Sequence, residues 1–324
     1  MILFLLVLAS IIIGLIWFTH HIDTSIENRF SPPGKLTTVD GGIIHWNVQG
    51  DGPSIVLIHG LLGNAGNFIE LASTLAKTHT VYSVDRPGSG FSSRTATTSA
   101  SFEKQSAMLL EWMEKEGINN ASLVGHSMGG GISLRMALDA PSRINSVVLL
   151  CPLTTALTGG AGPLSVLYIP NEKVRRTVSK TIASPLRVKF GKKQMLQIFY
   201  PEAVPDDFAI QGGGILALHS RSFYEGSRDT VSAQGSLYRQ TSHYKEITCP
   251  VGVLYGQEDA ILDPTTHTSA VTSSVPNSVS KTIAGAGHMI PITQPQACAE
   301  FIIDVITQSE TTGTKDDTKD KVVS

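Results

Sequence analysis

Ala121-Ser122-Leu123-Val124-Gly125-His126-Ser127-Met128-Gly129-Gly130-Gly131 is the stretch on which the reading of this chain turns. The apolar run Ala121–Val124 stops at Gly125, and a helical pattern, Met128–Ala140, opens just after Ser127. Between them lies G-x-S-x-G, in the strand–turn–helix setting that presents a serine hydroxyl clear of the backbone. Such a turn is tight, so the positions flanking Ser127 must be small. Gly129, Gly130 and Gly131 would each cost about 1 kcal/mol in a helix relative to alanine. Close approach of that helix to neighbouring strands explains why they are tolerated.

Further apolar runs lie on both sides. Ser54–Ile58 stops before Gly60, Thr80–Val84 at Asp85-Arg86-Pro87-Gly88, Ser146–Leu150 before Pro152, and Val251–Tyr255 at Gly256. These runs are continuous rather than alternating, which indicates strands buried on both faces. Helical patterns, Asn67–Lys77 and Phe102–Glu116, fall between them. The alternation predicts an α/β fold with a mainly parallel sheet. Leu36–Val48 predicts an antiparallel hairpin turning at Asp40-Gly41-Gly42. From Thr154 to Glu246 there is no strand run, and an insertion of roughly 90 residues between two strands of one sheet predicts a cap over its top. Asp85-Arg86-Pro87-Gly88 is read as a turn that closes its strand beside the site.

A serine at its ordinary pKa is a weak nucleophile and needs a base held by a third group. The chain has 10 histidines. His126 adjoins Ser127 in the turn, which points its ring elsewhere. His59 ends the Ser54–Ile58 run and is expected to support a loop. His219 and His243 fall in the cap. His288 stands in Ala284-Gly285-Ala286-Gly287-His288-Met289, a glycine-rich loop after the strand-like Ser280–Ile283. A loop of this kind delivers a side chain to the top of the sheet. If the order is Ser…Asp…His, the acid precedes it. Asp259 lies just past the carboxyl end of a buried strand, the functional edge of an open α/β sheet. Glu258 and Asp263 are its rivals, and Asp263, followed by Pro264, suits a helix N-cap.

With these segments in place the chain resembles the α/β-hydrolase superfamily, in its esterase- or lipase-like serine-hydrolase branch with a cap domain. The resemblance rests on Leu57-Ile58-His59-Gly60, Asp85-Arg86-Pro87-Gly88-Ser89-Gly90, Gly125-His126-Ser127-Met128-Gly129-Gly130, Gly256-Gln257-Glu258-Asp259 and Gly287-His288, in the family's order. It implies an eight-stranded, mainly parallel sheet flanked by helices, with a helical cap inserted after the sixth strand. It implies Ser127, Asp259 and His288 as a catalytic triad, an oxyanion hole from the backbone N–H groups of Leu61 and Met128, and no metal or cofactor. Ser127 disfavours the branches with an aspartate nucleophile, such as haloalkane dehalogenases and epoxide hydrolases. No family-specific cap motif is present, so the resemblance carries no substrate. Carboxylic ester hydrolysis is the default for this site. Other acyl or C–C bond hydrolysis and acyl transfer use the same triad, and a non-catalytic binding protein on this fold would not need one.

The ends of the chain set its placement. From Ile2 to Phe18 the only polar side chain is Ser10, and at about 1.5 Å per residue the run nearly spans a bilayer's hydrocarbon. No Lys or Arg precedes it and no small-x-small triplet follows, so residues 1–20 read as a single-pass anchor rather than a cleaved signal peptide. The side of the membrane is not fixed by so few flanking charges. Residues 21–35 read as a linker whose Ser31-Pro32-Pro33-Gly34 holds the domain off the anchor. The core is then 36–153 with 247–309, the cap 154–246, and 310–324 a disordered tail. The anchor favours apolar, lipid-like acyl esters as substrate and a membrane as partner. Within the cap, Lys173, Arg175, Arg176, Lys180, Arg187, Lys189, Lys192 and Lys193 crowd together, with Val174, Val178 and Ile182 at four-residue spacing. That pattern predicts a basic helix with an apolar stripe that rests on a lipid surface. The net charge of −2 argues against a general nucleic-acid partner. Three cysteines make no closed disulfide framework, and Cys151 and Cys249, at opposite ends of neighbouring strands, are expected beyond disulfide reach.

Overall fold

The computed structural model describes residues 1–157, 162–276 and 278–316. The chain opens with α1 (Ile2–Arg29), the hairpin β1 (Lys35–Val39) and β2 (Gly42–Gln49), then β3 (Ser54–Ile58), α2 (Ile69–Leu75), β4 (Thr80–Val84) and β5 (Ser93–Arg94). It continues with α3 (Phe102–Lys115), β6 (Ala121–His126), α4 (Met128–Asp139) and β7 (Ile144–Leu150). The helices α5 (Glu172–Lys180), α6 (Ala183–Phe199) and α7 (Ser220–Gln240) follow. The chain then returns through β8 (Val251–Gly256), α8 (Pro264–Thr272), β9 (Val279–Ile283), α9 (Ile290–Thr293) and α10 (Pro295–Asp316).

The apolar runs become one sheet, ordered β1-β2-β4-β3-β6-β7-β8-β9. The β1–β2 and β2–β4 pairs are antiparallel, and every pair from β4 to β9 is parallel. Every residue of β6 and β8 is buried, so helices cover both faces and continuous apolar runs are what these strands require. Among the described residues the sheet has nine strands rather than eight, because the two-residue β5 pairs with β2. Ser93-Arg94 is too short and polar to leave a periodic signal. Hence the helical insertion follows the seventh strand, or the sixth if β5 is left out. The hairpin turns on Asp40-Gly41, with Gly41 at φ +95, a left-handed value that glycine adopts freely.

The chain visits β4 on one side of β3 and β6 on the other, so the strand order reverses at β3/β6. The crevice at the carboxyl ends of those two strands is where open α/β sheets bind ligands. It falls at Gly60 and Ser127. Among the described residues no strand lies between Leu150 and Val251; residues 158–161 of the expected cap lie outside them.

Two expectations about the ends are corrected. Residues 21–29, read as linker, continue α1 to Arg29. Polarity rises after Phe18, but a docked helix needs only one inward stripe, and Phe18, Thr19, Ile22 and Ile26 supply it at helical spacing. The domain is therefore not held off this helix. Thr19 Oγ1 donates to the Thr181 carbonyl at 3.0 Å, between α5 and α6. The Asp23 carboxylate accepts from the Ser220 backbone N–H at 2.8 Å and the Ser220 hydroxyl at 2.5 Å. It thus sits at the N-terminus of α7, where the helix dipole favours an anion. His219 Nε2 lies 3.1 Å from Glu27 Oε1. At the other end, α10 runs to Asp316 through residues expected to be a tail, because extending an existing helix needs no new nucleus. Residues 317–324 lie outside the described residues.

Candidate active site

Ser127 sits between β6 and α4 with φ 53 and ψ −121, a conformation costing a non-glycine residue on the order of 1–3 kcal/mol. The surrounding chain over-determines it. Its N–H donates to Leu150 O at 3.0 Å, and its carbonyl accepts from Gly130 N at 2.9 Å and Leu153 N at 2.8 Å. The glycines have a steric reason. A Cβ at Gly129 would collide with the Ile58 carbonyl, and one at Gly60 would lie 2.8 Å from the Ser127 Cβ. The loop after β3 and the β6–α4 turn are thus in direct contact, which brings Leu61 and Met128 beside Ser127. All three line one cavity of about 370 Å³, whose other walls include Leu153, Leu157, Leu164, Tyr168, Ala233, Leu237 and Leu262.

Asp259 and His288, 29 positions apart, meet with His288 Nδ1 at 2.7 Å from Asp259 Oδ2. A carboxylate only accepts, so Nδ1 carries the hydrogen and Nε2 presents its lone pair. The other carboxylate oxygen accepts from Ile261 N at 2.8 Å and Leu262 N at 3.0 Å. Burial pushes the Asp259 carboxyl up, but His288 and these N–H donors outweigh it and hold the group below the usual range. Asp263 is instead the N-cap of α8, accepting from Thr266 N at 2.7 Å, and Glu258 is exposed.

The remaining histidines have other partners. His126 Nε2 donates to the His288 carbonyl at 2.9 Å, and burial pushes its pKa down to about 3. It therefore stays neutral and anchors the His288 loop. Glu202 holds the same loop from outside, accepting from Gly287 N at 3.0 Å. His59 Nδ1 donates to Gly60 O at 2.7 Å while Nε2 accepts from the Arg86 N–H at 2.9 Å. Burial, then the Arg86 charge, pushes its pKa to about 3. His243 pairs with Glu246 at 2.8 Å on the surface.

Cys151 Sγ, Asp259 and His288 have ligand atoms within 4.8 Å of one another. The thiol is engaged with Gly287 O at 3.6 Å and Gly256 N at 3.4 Å, and burial pushes its pKa far up. A cation there would have to break the Asp259–His288 bond and deprotonate a buried thiol, so these residues do not suit a metal. Cys151, Cys249 and Cys298 are free thiols.

Sequence reasoning missed one feature. Arg86, read as part of a turn, is 0% exposed. Its guanidinium donates to His59 O at 2.9 Å, Gly60 O at 3.1 Å, Gln105 Oε1 at 2.8 Å and Asp229 Oδ2 at 3.0 Å. It clamps the two carbonyls that precede Leu61 and ties them to α7. Arg94 joins in, reaching Asp229 at 2.8 Å and Glu225 at 2.5 Å. Glu225 and Asp229 stand at i,i+4, a spacing that in sequence reads as a solvated helix face.

A family model described as the alpha/beta hydrolase fold matches residues 53–295. The chain belongs to the alpha/beta hydrolase fold family. An uncharacterized hydrolase, YugF of Bacillus subtilis, is 28% identical over 283 residues, covering 85% of this chain and 98% of that protein. The monoacylglycerol lipase ABHD6 of Bos taurus is 24% identical over 267 residues, 81% of this chain and 78% of that one. Among solved structures, a membrane phospholipase A described as a bacterial virulence factor shares the fold. Its TM-score is 0.67 and its identity 19%, over 95% of this chain and 98% of that one. The Ser127 turn and the Asp259–His288 pair follow the carboxyl ends of strands of this sheet, the edge at which open α/β sheets bind ligands.

Proposed function

We propose that this α/β hydrolase is a membrane-anchored serine hydrolase that cleaves carboxylic esters with apolar acyl groups. The observation that carries the reading is the shared cavity. Ser127, Leu61 and Met128 face one largely apolar space of about 370 Å³, and the His288 imidazole, held by a buried carboxylate, has its ring centroid 4.9 Å from that of His126, the chain neighbour of Ser127. In this mechanism His288 Nε2 takes the Ser127 proton as the hydroxyl oxygen attacks the ester carbonyl. Asp259 orients the imidazole and stabilises its protonated form. The Leu61 and Met128 N–H groups receive the oxyanion, each contributing about 2.7–4 kcal/mol to the transition state. His288 then protonates the departing alkoxide, and water repeats the sequence on the acyl-enzyme.

The lipid-like acyl preference is supported by the leucine-rich walls and by the monoacylglycerol lipase relative. Anchoring is supported by α1, which is long and apolar enough to cross a membrane. Its polar second half is matched to the cap at Thr19, Asp23 and Glu27, contacts that suit a retained helix rather than a removed leader. The test is fluorophosphonate labelling of the full chain in detergent, then hydrolysis of p-nitrophenyl esters of increasing acyl length with products resolved. Labelling lost in Ser127→Ala and a rate maximum at medium or long acyl chains are expected. Labelling that persists in Ser127→Ala refutes the serine assignment. Acyl transfer to an added alcohol in preference to water would move the reading to an acyltransferase.

A further inference from the structure

The sequence placed an apolar stripe and a basic face on one helix, and the structure redistributes both. Val178 packs inward beside the cluster of Leu167, Ala183 and Phe223. Arg175 is buried, donating to Ile169 O at 2.9 Å and to Ser227 Oγ at 3.1 Å. Arg176 is paired with Glu172 at 2.7 Å. Arg187 turns inward, its guanidinium 5.1 Å from the Phe223 ring centroid. Val174 and Ile182 of the expected stripe stay exposed, but with Val178 and Arg175 turned inward they form no continuous face. The outward side of α6 does. Leu186, Phe190 and Leu196 are 48%, 51% and 54% exposed, and Lys189 and Lys193 fall on the same side at helical spacing. Large apolar side chains on the outside of a helix, interleaved with lysines, are the reverse of what a solvated face shows.

The position of this face names its occupant. Thr19, the first fully buried residue of α1, docks on Thr181, one residue before the N-cap of α6. Toward the chain's start from that contact, α1 is the apolar run Ile2–Phe18, of which only Leu15 and Phe18 are partly covered and the rest is exposed. The corner between α5 and α6 is therefore the part of the domain nearest the point where α1 would enter lipid. We infer that the outward face of α6 rests in the headgroup region of an anionic bilayer, with Leu186, Phe190 and Leu196 in the acyl boundary and Lys189, Lys192 and Lys193 among the phosphates. The turn Gly162–Leu167, which contributes Leu164 and Ser165 to the cavity, packs against the start of α6 through Leu167 and Ala183. Exposed Val166 and Tyr168 stand beside it. Docking α6 thus brings the mouth of the cavity to the lipid, and an acyl chain enters it without crossing bulk water. This rests on the proposal that α1 spans a membrane and the site cleaves apolar esters.

The test attaches an environment-sensitive fluorophore to single cysteines, L186C, F190C, I12C and Y238C, each in a Cys249→Ser background. The full-length protein is reconstituted in vesicles of phosphatidylglycerol with phosphatidylcholine, or of phosphatidylcholine alone. Tyr238 is exposed beside Arg239, which bonds Glu103 of the core, and serves as the aqueous control. Expected are blue-shifted emission and quenching by brominated lipid at positions 12, 186 and 190 but not at 238. Quenching at 186 and 190 should decrease in neutral vesicles and in the triple variant K189Q/K192Q/K193Q. That variant should hydrolyse a water-soluble ester at the parent rate but a bilayer-dissolved ester several-fold more slowly. Probes at 186 and 190 that report water while 12 reports lipid overturn the docking and leave the anchor standing. A probe at 12 that reports water overturns both.

Discussion

Replacing Asp229 by asparagine should slow turnover without changing the proposed reacting groups. Asp229 is 1% exposed and accepts from Arg86 at 3.0 Å and Arg94 at 2.8 Å. Arg94 keeps Glu225 at 2.5 Å. Arg86 is left with only neutral acceptors, the His59 and Gly60 carbonyls and Gln105. Breaking a buried ion pair from one side costs about 3–5 kcal/mol, which for a chain of this size lowers Tm by roughly 5–10 °C. The catalytic consequence is separate. Arg86 without its counter-ion no longer holds the peptide before Leu61 rigidly, and a displacement of ~1 Å at a reacting centre costs about 10²-fold. Losing one oxyanion donor entirely costs about 10²–10³-fold in kcat. The expected kcat is therefore lower by about 10- to 100-fold, with KM within about threefold, since the cavity walls beside Ser127 are untouched. Steady-state hydrolysis of p-nitrophenyl butyrate by the full chain in detergent, well below the variant's Tm, reads both constants. Asp229→Asn with a lowered Tm and parental kcat would refute the positioning role of the Arg86 clamp.

Three further outcomes follow from the geometry. Ser127→Ala should lose on the order of 10⁶ in kcat, and Asp259→Asn about 10⁴ through the wrong histidine tautomer. Asp263→Asn, at a helix cap, should retain most activity, and the reverse ranking would reassign the acid. His59 and His126 have pKa values pushed to about 3 and His267 to about 4 by burial, so the unfolded chain binds their protons from about pH 6.5 downward. Stability should fall as pH drops from 6.5 toward 4, by up to about 1.4 kcal/mol per unit for each histidine, and urea unfolding that is flat between pH 7 and 5 would contradict this. Deleting Met1–Gly14 keeps the docked stretch from Leu15 and should leave a folded, active protein. Deleting Met1–Phe30 strips Ile26 and the Asp23–Ser220 bonds and should cost about 3–5 kcal/mol, measured as Tm in the same detergent.

The parallel sheet was legible because its strands are buried on both faces and their composition says so without periodicity. The pairing of Asp259 with His288 was legible because chain order and strand ends limit which residues reach the sheet's edge. The docked half of α1 was not, since His21, Asp23 and Thr24 read as polar linker until their partners on the cap are known. The Arg86 cluster was equally hidden. Pairing of Arg86 and Arg94 with Asp229 spans more than 130 positions, and nothing local in a charged residue tells whether its partner is water or a distant carboxylate. Val178 and Arg175 mislead for the opposite reason: correct spacing on a short helix does not say which side faces inward.

The contact between Gly60 and Ser127 has a consequence for how such a protein diversifies. With no side chain at residue 60, its backbone abuts the Ser127 side chain directly, and the parts that would perform chemistry form one unit with no slack for change. The cavity's remaining walls come largely from elsewhere: Leu164, Tyr168, Ala233 and Leu237 belong to the segment between β7 and β8. Substitutions there would reshape the cavity without moving the residues proposed to react. Selection for a new substrate, in nature or in a directed-evolution library, has its freedom in that segment, and libraries that spare positions 60, 127 and 129 waste fewer members on inactive protein.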